Sequence, residues 1–199
     1  RTGCLYCAGA FEYDDREALV GLAADPDKSP AIHMFSGGGD STALLLAMSR
    51  IYAPGKLVAN LPYIVATPLL VESLDGLRSI ERWTVMVQRE VADRFFAQPS
   101  TKAYGAVSVL VQLAAERTGF HPVSRTVFRP QPNVDSALVA FRRTELPESY
   151  PEVKRVVEAA FAHRRKTLPN SLELSGLASR ARAAEALAEI ERAPDTRAE

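Results

Sequence analysis

The chain has 199 residues, 47% of them hydrophobic and 24% charged, which suits one sizeable core and excludes a wholly disordered segment. Lys plus Arg equals Asp plus Glu at 24 each, so bulk charge points to no polyanionic partner, and nucleic-acid contact has to come from a local cluster. No apolar run reaches the roughly 18–20 residues of a membrane span, and the opening RTGCLYC lacks a basic then apolar leader, so a cytoplasmic protein without membrane association is expected. Cys4 and Cys7 form a lone CxxC pair, and His33, His121 and His163 are scattered. Tetrahedral zinc wants two further ligands, so no metal site is expected.

In chain order, the first elements follow the acidic stretch EYDDREALVGLAADPDKSP: an apolar strand candidate Ala31 to Phe35, a glycine loop, and a helix from Thr42 to about Tyr52. From Gly55 strands and helices alternate. Leu57 to Ala59 is a short apolar run suited to a buried parallel strand. Thr67 and Pro68 read as an N-cap and first-turn proline, with Leu69, Leu70, Leu74 and Leu77 on one helical face. A second buried strand is expected at Thr84 to Val87, then a helix in AYGAVSVLVQLAAERTG stopped by Gly119. Residues 120–143 hold two strand candidates separated by FRPQPNVDS, whose prolines prevent ladder pairing; the second, Val134 to Arg143, alternates faces and suits an antiparallel strand. Beyond ELPESYPE, Val153, Val156, Val157, Ala160 and Phe161 keep the spacing of one buried helical stripe, and a last helix is expected around Ala181 to Glu191. The expected organisation is an atypical segment 1–54, a partial catalytic α/β domain 55–145 and a small helical domain 146–199.

The tetrapeptide Asn60-Leu61-Pro62-Tyr63 directly follows a buried strand, where open α/β sheets place their ligands. An exocyclic amine of a base is a poor nucleophile because its lone pair is delocalised into the ring. The Asn60 side-chain oxygen and the Leu61 carbonyl suit acceptance of the two amine N–H bonds, Pro62 stiffens the turn, and Tyr63 suits stacking on a base. The bland alternative is a strand followed by an Asn-Pro type turn.

The blocks LVANLPYIVATPLL, VMVQREVADRF, KAYGAVSVLVQ, FRPQPNVDSALV and FAHRRKTLPNSL, in this order, resemble the ribosomal RNA adenine dimethyltransferases over about Gly55 to Leu177. The resemblance implies an incomplete Rossmann-like methyltransferase sheet with a small helical C-terminal domain. It further implies methyl transfer from S-adenosylmethionine to the N6 of adenines in small-subunit ribosomal RNA, on the assembling 30S subunit, by a monomer. On it, Asn60 to Tyr63 are the catalytic tetrapeptide, Asn60 also lies beside the cofactor, and Phe128 is an aromatic facing the target base. Arg164, Arg165 and Lys166 fall on a basic block that suits phosphate contact, the alternative being a solvated helix end. Gln88, Arg89 and Glu90 match as well, with a structural role expected after their strand.

The family's G-x-G-x-G loop and its acidic cofactor contacts are not visible, and only 24 steps separate Ser36 from Asn60, room for one helix. In that place Ser36-Gly37-Gly38-Gly39-Asp40-Ser41 resembles the SGGxDS loop of PP-loop ATP pyrophosphatases, whose backbone N–H groups close on phosphate. Two partial resemblances meeting near Pro54 and Gly55 lead to the expectation of a fused or truncated chain. The alternatives to the methyltransferase are an inactive RNA-binding remnant and a PP-loop ATP-using enzyme.

Overall fold

The computed structural model describes the backbone of residues 31–34, and residues 55–61, 63 and 66–198. The expected helix at Thr42 to Tyr52 lies outside these residues. The described residues separate into two compact units, one holding Ala114–Glu145 with those up to Asp93, the other Arg94–Leu113 with those from Leu146 onward. Residues 94–113 thus group with the C-terminal helices.

The first unit is built on a mixed sheet. Its strands are β1 (Ala31–Met34), β2 (Lys56–Asn60), β3 (Arg82–Gln88), β4 (Ala115–Val123) and β5 (Ser136–Arg143), in the order β1-β2-β3-β5-β4. β1, β2 and β3 are parallel, whereas β5 runs antiparallel to both β3 and β4. Helix α1 (Ala66–Gly76) makes the crossover from β2 to β3 and buries Leu70, Val71 and Leu74. It begins at Ala66, so Thr67 is already helical and is not the N-cap; Pro68 still sits in the first turn, where a missing N–H costs nothing.

Two further expectations are corrected by the sheet. Helix α3 (Ala106–Ala114) stops five residues before Gly119, because Ala115 onward pairs with β5 and this ladder overrides a local helical pattern. Gly119 instead lies in β4 at the register shift after Arg117, a bulge that a residue without a side chain accommodates. β5 begins at Ser136, and its burial does not alternate: Ser136 to Phe141 are all buried, because the strand lies between two neighbours with both faces covered.

Around the amino end of β3 the packing is dense. Trp83, 1% exposed, stacks on Phe141 with centroids 5.2 Å apart and donates its Nε1–H to Ser73 Oγ at 2.9 Å. The Arg143 guanidinium lies 4.9 Å from the Trp83 ring centroid and donates to the carbonyls of Ile80, Leu74 and Leu77 at 2.7, 2.7 and 3.1 Å. Of these acceptors, the Leu74 carbonyl lies in the last turn of α1, where carbonyls lack an intrahelical donor, and the Leu77 carbonyl also accepts the Ile80 N–H.

The second unit contains α3 together with α4 (Tyr150–Ala162), α5 (Leu168–Leu174) and α6 (Arg180–Glu189). Small residues let its helices approach: Ala159, Ala160, Leu172 and Ala183 form its core, with Phe161, Leu168 and Leu177 against it. The expected stripe on α4 is shifted, since Val156 is 46% exposed and Tyr150, Ala159 and Ala160 are the buried residues. Ser171, fully buried, donates to the Ala159 carbonyl at 2.7 Å and so ties α5 to α4. α5 ends in a Schellman arrangement: Gly176 takes φ +70°, its N–H reaches the Glu173 carbonyl, and the Leu177 N–H reaches that of Leu172. Helix α2 (Arg89–Phe95) follows β3 directly and runs across the boundary between the units.

Candidate active site

β2 carries the tetrapeptide to the carboxyl end of the parallel strands. Its register pairs Asn60 with Met86 of β3, and the Leu61 N–H extends the ladder one step to the Met86 carbonyl at 3.0 Å. The Asn60 side chain is half-buried, and among the described residues no side chain hydrogen-bonds its amide. Leu61 is 1% exposed, so its side chain belongs to the core and any contact with a ligand falls to its backbone carbonyl. Pro62 lies outside the described residues.

Tyr63 is half-buried, and its phenolic oxygen stands 2.7 Å from Ser136 Oγ. Ser136 pairs with Gln88, the last residue of β3, and with Val123, the last of β4. The antiparallel course of β5 therefore brings its first residue to the edge at which β2 and β3 end. The segment from Ser124 to Asp135 leaves and rejoins the sheet at this edge. It is held by the Arg125 N–H donating to Asp135 Oδ1 at 2.9 Å, by Arg125 donating to the Asn133 carbonyl at 3.1 Å, and by the Arg89 N–H donating to the Asp135 carbonyl at 3.0 Å.

Phe128 follows the short 3-10 turn Arg125–Val127 and packs against Met86, Val123 and Leu138. Met86 thus pairs with Asn60, accepts the Leu61 N–H and belongs to the cluster on which Phe128 packs. Gln88 closes β3, while Arg89 and Glu90 open α2, Arg89 at 4.0 Å from Asp93. Arg164, Arg165 and Lys166 are exposed in the turn between α4 and α5, in the second unit; Arg164 donates to the Lys102 carbonyl at 3.4 Å.

Sequence reasoning missed Ser136, Met86 and Asp135. A serine heading a buried strand looks like a strand cap, and only the register of β5 against β3 shows that it meets Tyr63. The loop Ser36 to Ser41 and the pair Cys4 and Cys7 lie outside the described residues, among which no group of three His, Cys, Asp or Glu could hold a metal ion and no helix is long and apolar enough to cross a membrane.

An open α/β sheet with a polar tetrapeptide leaving the carboxyl end of a parallel strand defines a class of proteins that bind ligands at that edge. Solved structures share the fold. A dimethyladenosine transferase from Plasmodium falciparum has a TM-score of 0.67 at 18% identity, covering 92% of this chain and 88% of that one. The 23S rRNA methyltransferase ErmE has a TM-score of 0.56 at 19% identity, covering 92% and 91%. The chain therefore shares their Rossmann-like fold.

The family described as ribosomal RNA adenine dimethylase matches residues 42–195, and the chain belongs to it. Proteins named ribosomal RNA small subunit methyltransferase A are similar in sequence. That of Rubrobacter xylanophilus is 49% identical over 194 residues, covering 93% of this chain and 73% of the relative. That of Lactiplantibacillus plantarum is 44% identical, covering 82% and 57%, and that of Streptomyces griseus 51% identical, covering 73% and 51%. The chain thus spans about three quarters of the first and little more than half of the other two. These similarities give no support to an ATP-pyrophosphatase reading of the N-terminal segment.

Proposed function

We propose that the chain is an adenine N6-methylating enzyme acting on small-subunit ribosomal RNA in the cytoplasm, with its chemistry at the carboxyl end of β2. The observation that carries this reading is the half-buried Asn60 amide, unengaged by any described side chain, on a backbone anchored to β3 through Leu61 and Met86. Asn60 Oδ1 and the Leu61 carbonyl accept the two N–H bonds of the adenine amine. Holding both hydrogens out of the ring plane localises the nitrogen lone pair and aims it away from the acceptors. Tyr63 offers a ring face to the base, a contact worth about 1–3 kcal/mol by truncation of comparable platforms, and Phe128 limits the site from the β4–β5 side.

S-adenosylmethionine, when bound, supplies the methyl group as a sulfonium. With both N–H bonds held by Asn60 Oδ1 and the Leu61 carbonyl, the amine nitrogen would face that methyl, and the proton it loses on methylation would pass to solvent. Among the described residues the Asn60 amide is the group that fits this cofactor, being polar, half-buried and at the strand end. The exposed Arg164, Arg165 and Lys166 hold RNA phosphates, a role that exposure and charge support. Neither an RNA-binding remnant nor an ATP-using enzyme is favoured by a particular observation.

Calorimetric titration of the protein with S-adenosylmethionine tests the reading. Saturable binding that weakens in Asn60→Ala is expected; no binding at millimolar ligand refutes it.

A further inference from the structure

Ser136 is fully buried, and the hydrogen bond of its hydroxyl is the one to Tyr63. Two hydroxyls share this contact, so one proton lies between the oxygens and the other points elsewhere. If Tyr63 donated, the Ser136 proton would be left in the interior without an acceptor, an arrangement that buried donors avoid. If Ser136 donates, the interior is satisfied, and the proton that remains belongs to the half-buried tyrosine.

The rest of Ser136 is immobile for a separate reason. Its backbone sits between Gln88 of β3 and Val123 of β4, and its neighbour Asp135 receives the Arg89 and Arg125 N–H groups. A hydroxyl fixed by two ladders and a clipped loop is a rigid anchor. Tyr63, by contrast, follows the last strand residue Asn60 by three positions and is in no regular element.

We propose that Ser136 is a positioning residue of the methylation site: it donates to the Tyr63 phenol oxygen and so fixes the position of the ring on which the adenine stacks. The inference rests on the function proposed above. A loop tyrosine held only by its backbone samples several χ1 settings, and a stacking platform is useful to the degree that its place is set before the base arrives. The bond takes one atom at the far tip of the ring and leaves both faces for packing.

The test compares the full chain with Tyr63→Phe, Ser136→Ala, Ser136→Thr and the double variant Tyr63→Phe with Ser136→Ala. Two readouts are used: order of the residue-63 ring by carbon-13 relaxation, and affinity for an adenine-containing fragment of small-subunit rRNA. Ser136→Ala and Tyr63→Phe should each loosen the ring and weaken RNA binding by about five- to tenfold, the worth of one such bond. The double variant should be no worse than either single one, and Ser136→Thr, which keeps the hydroxyl, should restore most of the affinity. Additive losses, or a Ser136→Ala protein with unchanged ring order, overturn the proposal. Ring order that responds while RNA binds equally well to every variant overturns the positioning role and leaves a structural hydrogen bond. Failure of every form to bind RNA, with ring order still coupled, is the separate outcome that removes the functional reading and the positioning role with it.

Discussion

At the amino end of β3, the Arg143 guanidinium gives hydrogen bonds to three carbonyls and lies 4.9 Å from the Trp83 ring centroid, and Trp83 in turn donates to Ser73. At the carboxyl end of the same sheet, Asn60 is half-buried with an amide that no described side chain engages, and Tyr63 hangs from a loop by its hydroxyl. One end consumes its polar groups in holding α1 to the sheet, and the other holds its backbone firmly while leaving a side-chain amide for something else. Stability is concentrated where polar groups are used up. Function is sought where one is held ready.

Variants at the two ends should therefore move different quantities. The largest effect is expected from Trp83→Ala, which removes a stacked, fully buried ring and leaves Ser73 without its donor; unfolding in urea should show a loss of about 3–5 kcal/mol. A loss below about 1 kcal/mol would show that this end is not the keystone it looks to be. Asn60→Ala should do the reverse: methyl transfer to small-subunit rRNA should fall by about 100- to 1,000-fold, as when one preorganised polar group is removed from an active site. The unfolding midpoint should hardly move, and a large shift in it would mean that Asn60 is structural.

Arg143→Lys comes next. One ammonium cannot span three carbonyls in the plane of a guanidinium or stack as well on Trp83, so a loss of about 1–2 kcal/mol in urea is expected, with the affinity for S-adenosylmethionine unchanged. A changed cofactor affinity would show the two ends of the sheet to be coupled. The smallest free-energy effect belongs to Arg164→Ala with Arg165→Ala. Stability should stay within about 0.5 kcal/mol, while the plot of log affinity for rRNA against log salt should become shallower by about two units. An unchanged slope would remove these arginines from the RNA surface.

Much of this contrast was legible in the sequence where a local pattern and its structural outcome coincide. The apolar runs ending at Asn60 and Gln88 are strands because β-branched and apolar residues with no polar alternation suit burial on both faces. The tetrapeptide stands out because the residues proposed to carry its chemistry are consecutive. What failed depended on partners far along the chain: the helix expected to continue to Gly119 gives way to β4 because β5 offers a ladder, and the alternation read in Val134 to Arg143 says nothing of a strand covered on both faces. Ser136 was missed for the same reason, since its contact with Tyr63 spans 73 positions.

The most direct test of the central claim is nucleoside mass spectrometry of small-subunit rRNA after incubation with this protein and S-adenosylmethionine. The account predicts N6,N6-dimethyladenosine from the unaltered chain and its near disappearance with Asn60→Ala. Adenine left unmodified by the unaltered chain, or modified equally well by the Asn60→Ala variant, would contradict it.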